Sequence, residues 1–205
     1  MRRRRRRFRA PPPAVARTGE LRARALTEVV RLPRRSALYP ELARALAAAD
    51  RLHALRTDLE PVPVRATATT RQSGCYRSRD GDPVDVRVSR LHGRVALSFL
   101  HELGHFVDHQ RGWELGPALC ARAHVPSRAP AGSGRSRRRY FDSPKEVWAR
   151  SYAQAALARS GDPVLLAELA ALQAADDAFV WPEREFAPVA HVLEDVLGRL
   201  LAVAA

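Results

Sequence analysis

The sequence predicts an α+β fold that is mainly helical, with one small β-hairpin or sheet. Several segments place apolar residues three and four positions apart, as the 3.6-residue helical turn requires. Residues 84–88 instead alternate apolar and polar side chains, which is typical of a strand with one buried face. A chain of 205 residues can bury one substantial core, so we expect a single domain over residues 17–205.

The first sixteen residues differ in composition from the rest of the chain. Six arginines, Arg2 to Arg7, precede a proline-rich stretch over residues 10–14, and Arg9 lies between them. Such a segment is expected to be a disordered tail. Part of the formal net charge of +13 lies here. The segment Arg2 to Arg9 can bind nucleic acid or another anionic surface, and it can equally be a solvated block of charge.

Composition also indicates where in the cell the protein is expected to be located. No apolar stretch follows the arginines and no run is long enough to cross a bilayer, so we expect neither a secretory signal nor a membrane span. Cys75 and Cys120 are too few for a disulfide framework and are expected to be free thiols. Together these features favour a cytoplasmic protein.

The predicted elements follow in chain order. Helices are expected over residues 20–32 and 38–59, and the prolines at 61 and 63 end the second. Residues 74–77 and 84–88 form a hairpin around the turn residues 79–83. A helix is predicted within residues 91–116, and further helices are predicted over 143–159, 163–175 and 186–203. A long loop rich in Pro, Gly and Arg is predicted over 126–139, either a substrate-contacting lid or a tolerated insertion.

The pattern His101-Glu102-Leu103-Gly104-His105 carries the clearest chemistry. Histidines four residues apart lie one turn apart on the same side of a helix, so both imidazoles can reach one metal ion. The carboxylate of Glu102 can then accept a proton from a water molecule at that ion. Gly104 costs about 1 kcal/mol relative to alanine in a helix, which predicts close approach of another element. The pattern is typical of zinc hydrolases, most often peptidases.

A catalytic zinc ion normally takes a third protein ligand. His109 is excluded because it lies about 12 Å along the helix axis from His101. Asp108 is expected either to accept a hydrogen bond from a ligand imidazole or to be a solvated carboxylate. Glu146 begins the helix after Ser143, and Ser143-x-x-Glu146 is also a capping box. The local sequence favours the cap and leaves the third ligand open, with His124 as a further candidate.

Two motifs together resemble the gluzincin zinc metallopeptidases. They are His-Glu-x-Gly-His-x-x-Asp at 101–108 and Ser-Pro-x-Glu-x-x-Ala-Arg at 143–150. The likeness is strongest to the branch that contains the anthrax lethal factor catalytic domain and metallopeptidase-like domains of phage and bacterial polymorphic proteins. It covers residues 74–152.

The resemblance implies a zincin-like domain that hydrolyses protein or peptide substrates. It implies His101, His105 and Glu146 as Zn²⁺ ligands and Glu102 as general base. It also implies a tyrosine that stabilises the oxyanion, at Tyr140 or alternatively at Tyr152. The competing interpretations are a catalytically idle zinc-binding scaffold and a phage- or mobile-element-associated module, either of them able to bind nucleic acid through the arginine-rich tail.

Overall fold

The structure is a computed structural model that describes residues 25–52 and 60–202, with side chains as far as Gly198. The tail expected over residues 1–16 lies outside these ranges, as does the end of the second predicted helix at 53–59. The described chain is mainly helical with one four-stranded sheet, which confirms the predicted α+β class. Among its helices, none combines the length and the apolar character needed to cross a membrane.

All four strands lie in the first part of the described chain, with two helices, and helices alone form the rest. In order they are α1 Leu26–Val29, β1 Val30–Arg31, α2 Tyr39–Leu52, β2 Val62–Thr67, β3 Gly74–Arg79, β4 Asp82–Ser89, α3 Val95–Gln110, α4 Leu115–Arg122, α5 Arg135–Phe141, α6 Pro144–Ala158, α7 Pro163–Ala174 and α8 Glu183–Ala202. The predicted helices correspond to α2, α3, α6, α7 and α8.

The predicted hairpin is formed by β3 and β4, which pair in antiparallel register. Asp80 and Gly81 connect them with φ angles of 54° and 93°. Two consecutive positive φ angles suit the tight turns that match strand twist, and aspartate and glycine tolerate them best. The sheet order is β1-β2-β4-β3, so β3 lies at an edge of the sheet.

Strands β1 and β2 were not predicted. The helix expected over 20–32 ends at Val29 within the described residues, because Val30 pairs in parallel with Val62. Strand β2 also pairs in parallel with β4, and its Val62 and Val64 are buried. Parallel pairing depends on residues far apart in sequence, and it outweighs the local helical pattern before Arg31.

The central contact of the fold is between α3 and α6. A Cβ atom at Gly104 would lie 3.0 Å from Cα of Ala149 and 3.2 Å from Cβ of Tyr152. The indole N–H of Trp148 donates to the carbonyl of Gly104 at 2.9 Å. Gly104 therefore allows α6 to approach the middle of α3 closely, as its presence predicted.

Helix α4 was not predicted and fills the corner between α3 and α6. Gly112 and Trp113, with φ angles of 67° and 66°, reverse the chain after α3. The carboxylate of Asp108 accepts a hydrogen bond from the N–H of Leu115 at 2.9 Å, at the first residue of the helix. This contact satisfies a backbone donor that no carbonyl of the helix can reach.

The predicted loop over 126–139 is shorter than expected. Helix α5 begins at Arg135, so the basic run belongs to a helix and the irregular segment ends at Gly134. Arginine is a good helix former, and Gly134 takes the N-cap position.

Replacing Gly116 with alanine is expected to destabilise the protein by about 1–3 kcal/mol. A Cβ atom at this position would lie 2.5 Å from the carbonyl oxygen of Pro144, and backbone gives way less readily than a flexible side chain. Urea unfolding measures the change. The control is Gly198→Ala in α8, where the added Cβ meets no atom within 4 Å and should stabilise by about 0.5–1 kcal/mol. An unchanged midpoint for Gly116→Ala would contradict this close contact.

Candidate metal centre

Three predicted ligands converge at the contact between α3 and α6. His101 and His105 lie one turn apart on α3, with ring centroids separated by 4.8 Å. Glu146 enters from the first turn of α6. Its Oε2 lies 3.3 Å from Nε2 of His101, and its Oε1 lies 3.4 Å from Nε2 of His105. The donor atoms of all three residues lie within 4.8 Å of one another.

This donor set fits a zinc ion in both chemistry and spacing. Two imidazole nitrogens and one carboxylate are ligands that zinc commonly takes. Two atoms each about 2.0–2.1 Å from one tetrahedral zinc lie roughly 3.3 Å apart. Each histidine nitrogen lies at about that separation from one of the two Glu146 oxygens, Oε2 for His101 and Oε1 for His105. His101 is 7% exposed and Glu146 is 8% exposed, so the donors are shielded from bulk water.

The contacts among His101, His105 and Glu146 shift the pKa values of Glu146 and His105. Burial alone would raise the pKa of the Glu146 carboxyl, but the imidazoles of His101 and His105 hold that pKa well below its usual range. Burial would lower the pKa of His105, and the facing carboxylate of Glu146 raises it instead. The group therefore favours an ionised carboxylate, the form that binds a metal ion.

The capping-box alternative for Glu146 is wrong in this structure. In a capping box, the glutamate side chain would accept a hydrogen bond from the backbone N–H of Ser143. That N–H donates instead to the carbonyl of Tyr140 at 3.1 Å. The Ser143 hydroxyl donates to the same carbonyl at 2.9 Å and caps no amide of α6. The Glu146 side chain is consequently directed to the histidines.

Glu102 lies beside the three donors and contacts the edge strand. Its carboxylate accepts a hydrogen bond from the backbone N–H of Tyr76 at 2.6 Å, and the residue is 8% exposed. A Cβ atom at Gly74 would lie 2.7 Å from Cγ of Glu102. The absence of a side chain at Gly74 therefore makes room for Glu102 against β3.

A cavity of about 480 Å³ opens beside these residues. The cavity is lined by the start of β3 with the loop before it, by α3 with the loop before it, and by two aromatic residues. The lining residues are Gln72, Ser73, Gly74, His92, Gly93, Arg94, Leu97, Ser98, His101, Glu102, Tyr140 and Phe179. The candidate ligand His101 and the candidate base Glu102 thus face the same space.

Of the two candidate tyrosines, Tyr140 lies at this cavity and Tyr152 does not line it. Tyr140 is about half exposed, and burial together with the nearby charge of Glu146 raises the pKa of its hydroxyl, so it stays protonated. Tyr152 is fully buried beside Gly104, with its ring 6.1 Å from that of Trp148. This placement favours Tyr140 as the residue that contacts a substrate.

Asp108 has neither of its two predicted roles, because it is fully buried and no imidazole of the described residues donates to it. Its Oδ1 accepts from the N–H of Leu115, and burial raises the pKa of its carboxyl. Within the described chain, Oδ2 of Asp108 and Nδ1 of His101 are buried without a hydrogen-bond partner. The carboxylate therefore anchors α4. The other reserve ligand, His124, lines a separate cavity with Cys120 and Asp142.

Arg150 is a buried residue whose structural importance was not predicted. Its guanidinium is 2% exposed and lies between the rings of Phe141 and Trp181, at 5.0 Å and 4.9 Å. It donates to the carbonyl groups of Glu146, Phe141 and Ala178. Burial lowers the pKa of Arg150 to about 10. One cation thus joins three segments that supply Glu146, Tyr140 and Phe179 to the site.

Comparison of the chain with protein-family models, with curated proteins and with solved structures finds no match in any of the three. The resemblance to the gluzincins therefore depends on the two motifs alone.

Proposed function

We propose that this protein is a zinc-dependent peptidase. One observation carries the proposal: a general-base candidate, Glu102, lines the same cavity as His101, a member of a His-His-Glu group that could hold a metal ion. A purely structural zinc site normally has four protein ligands, whereas three ligands leave a position for water and substrate. Three donors form the group in the described residues.

Each residue has a defined part in the proposed reaction. Zinc bound by His101, His105 and Glu146 would polarise the scissile carbonyl and lower the pKa of a water molecule toward about 7. Glu102 accepts the proton of the attacking water and then transfers it to the leaving amine as the C–N bond breaks. Tyr140 donates a hydrogen bond to the carbonyl oxygen as negative charge develops there.

The edge strand supports a peptide as the substrate. Among the described residues, strand β3 pairs with β4 alone, and the N–H of Tyr76 donates to the carboxylate of Glu102. An extended peptide can add to such an edge through main-chain hydrogen bonds, which would lay its backbone along the candidate centre.

Replacing Gly74 with alanine is expected to lower kcat by about tenfold or more with little loss of stability. The new methyl group would displace Glu102 from its contact with Tyr76, and a small misplacement of a catalytic group is costly. Steady-state kinetics together with thermal unfolding separate the two effects. Gly93→Ala is the matched control, because a Cβ atom there meets nothing within 4 Å although Gly93 lines the same cavity. Equal kcat values for the two variants would contradict the positioning of Glu102 by β3.

The competing proposal is a catalytically idle zinc-binding scaffold. Such a protein needs the three ligands but not Glu102, whose buried carboxylate would then have no function beyond its bond to Tyr76. Nucleic-acid binding through Arg2 to Arg9 is compatible with either proposal, and that segment lies outside the described residues. The free thiols of Cys75 and Cys120 support a cytoplasmic location as part of the proposal.

Incubation with a panel of unstructured peptides tests the proposed activity. Mass spectrometry should find new peptide ends with the zinc-loaded protein. A chelator should abolish their formation and added zinc should restore it. If the protein binds zinc but releases no new ends above the level of Glu102→Gln, the scaffold proposal replaces the peptidase.

A further inference from the structure

Exposed arginines that form no ion pair with a described residue lie on segments that lead into the lining of the cavity. Helix α5 carries four of them, and within the described chain none forms an ion pair: Arg135, Arg137, Arg138 and Arg139. The same helix leads directly into Tyr140, which lines the cavity.

Arg137 has the most direct relation to the site. It precedes Tyr140 by three residues, and residues three apart lie on the same side of a helix. Its guanidinium lies 6.0 Å from the ring centroid of Phe141, which holds it at the end of α5 nearest the cavity.

Further positive charge lies on the other segments that line the cavity. Arg71 precedes the lining residue Gln72, is exposed and forms no ion pair with a described residue. Arg94 lines the cavity and is paired with Asp177. Among the described lining residues, Glu102 is the sole acid. The segments that line the cavity therefore carry more unpaired basic than acidic side chains.

We infer that the cleft selects peptide segments rich in aspartate and glutamate beside the scissile bond, an inference that rests on the proposed peptidase function. Charge complementarity increases the rate of encounter and discriminates against other partners, and it weakens as salt screens it. A peptide is favoured over single-stranded nucleic acid because β3 ends the order of the described sheet, where main-chain groups other than the N–H of Tyr76 can bond to a peptide backbone.

Binding to matched labelled peptides tests the inference. The probes are two 12-residue peptides, one alternating Glu and Ser and the other Gln and Ser, measured by fluorescence anisotropy with the full-length, zinc-loaded Glu102→Gln protein to prevent cleavage. At low salt we expect about tenfold or tighter binding of the glutamate peptide, because several exposed ion pairs each contribute a few-fold. Sodium chloride should reduce the difference.

Two triple variants show whether the charges near the site are responsible. In the Glu102→Gln background, Arg137→Ser, Arg138→Ser and Arg139→Ser together should remove most of the preference. The control removes the same charge elsewhere through Arg31→Ser, Arg34→Ser and Arg35→Ser, exposed residues that do not line the cavity. Both variants keep the N-terminal arginines. Equal losses in the two, no preference at all, or tighter binding of a dT12 oligonucleotide than of the glutamate peptide would overturn the inference.

Mapping of cleavage sites separates this inference from the proposed function. Enrichment of acidic residues beside the sites cut by the zinc-loaded wild-type protein supports both. Cleavage without enrichment overturns the acidic preference and leaves the peptidase. Binding of the glutamate peptide that depends on α5, without any cleavage, supports the binding surface and overturns the peptidase.

Discussion

Replacement of Glu102 by glutamine is expected to lower kcat/KM for peptide hydrolysis by about 10²- to 10⁴-fold while zinc remains bound. Glutamine has nearly the same shape, and its amide oxygen can still accept the hydrogen bond that the N–H of Tyr76 donates at 2.6 Å. The substitution therefore removes the proton acceptor with little change in packing.

Steady-state kinetics and metal analysis on the same preparation measure this prediction. Glu183→Gln is the matched control, since Glu183 lies in the first turn of α8 and is exposed. It should keep wild-type values of both quantities. Activity retained by Glu102→Gln would refute Glu102 as the general base, and joint loss of activity and zinc would show that Glu102 helps to bind the metal.

Replacement of Glu146 by glutamine is expected to weaken zinc binding by at least about 10²-fold. Loss of a residue that supports a ligand already costs about 10- to 100-fold in metal affinity, and loss of a ligand charge costs more. Competition with a chromophoric chelator gives the affinity, and Glu183→Gln again serves as control. Unchanged affinity would restrict Glu146 to a structural role and contradict the proposed ligand set.

The candidate centre was largely predictable because its parts are local. The spacing of His101 and His105 is a property of one helix, and Pro144 marks the start of the helix that carries Glu146. The structure brings these two helices together at Gly104, whose conformational cost had predicted a close approach. The hairpin was predictable for the same reason, since Asp80 and Gly81 specify the turn.

Features that depend on distant parts of the chain were not predictable in this way. Strand β2 contains Pro63 and becomes a strand because β1 and β4 pair with it on either side. Asp108 lies on the same helix as the histidines, but its carboxylate accepts a hydrogen bond from the backbone N–H of Leu115 in α4. Arg150 is an ordinary charged residue in the sequence, and its burial follows from three carbonyl groups that only the assembled fold places around it.

The arrangement of Arg150 also indicates how the site is kept in place. Its hydrogen bonds reach the turn of α6 that contains Glu146, the end of α5 and the segment before Phe179. Buried carbonyl groups that lose a charged donor are costly to leave unsatisfied. The donor set and Tyr140 are thus held through the backbone, in addition to the packing of α3 on α6.

Titration of the metal-free protein with zinc, followed by peptide cleavage at each addition, tests the central claim most directly. The proposal predicts that cleavage rises in proportion to zinc and reaches its maximum at one ion per chain. Binding of one zinc ion without any cleavage, or failure to bind zinc at all, would contradict it.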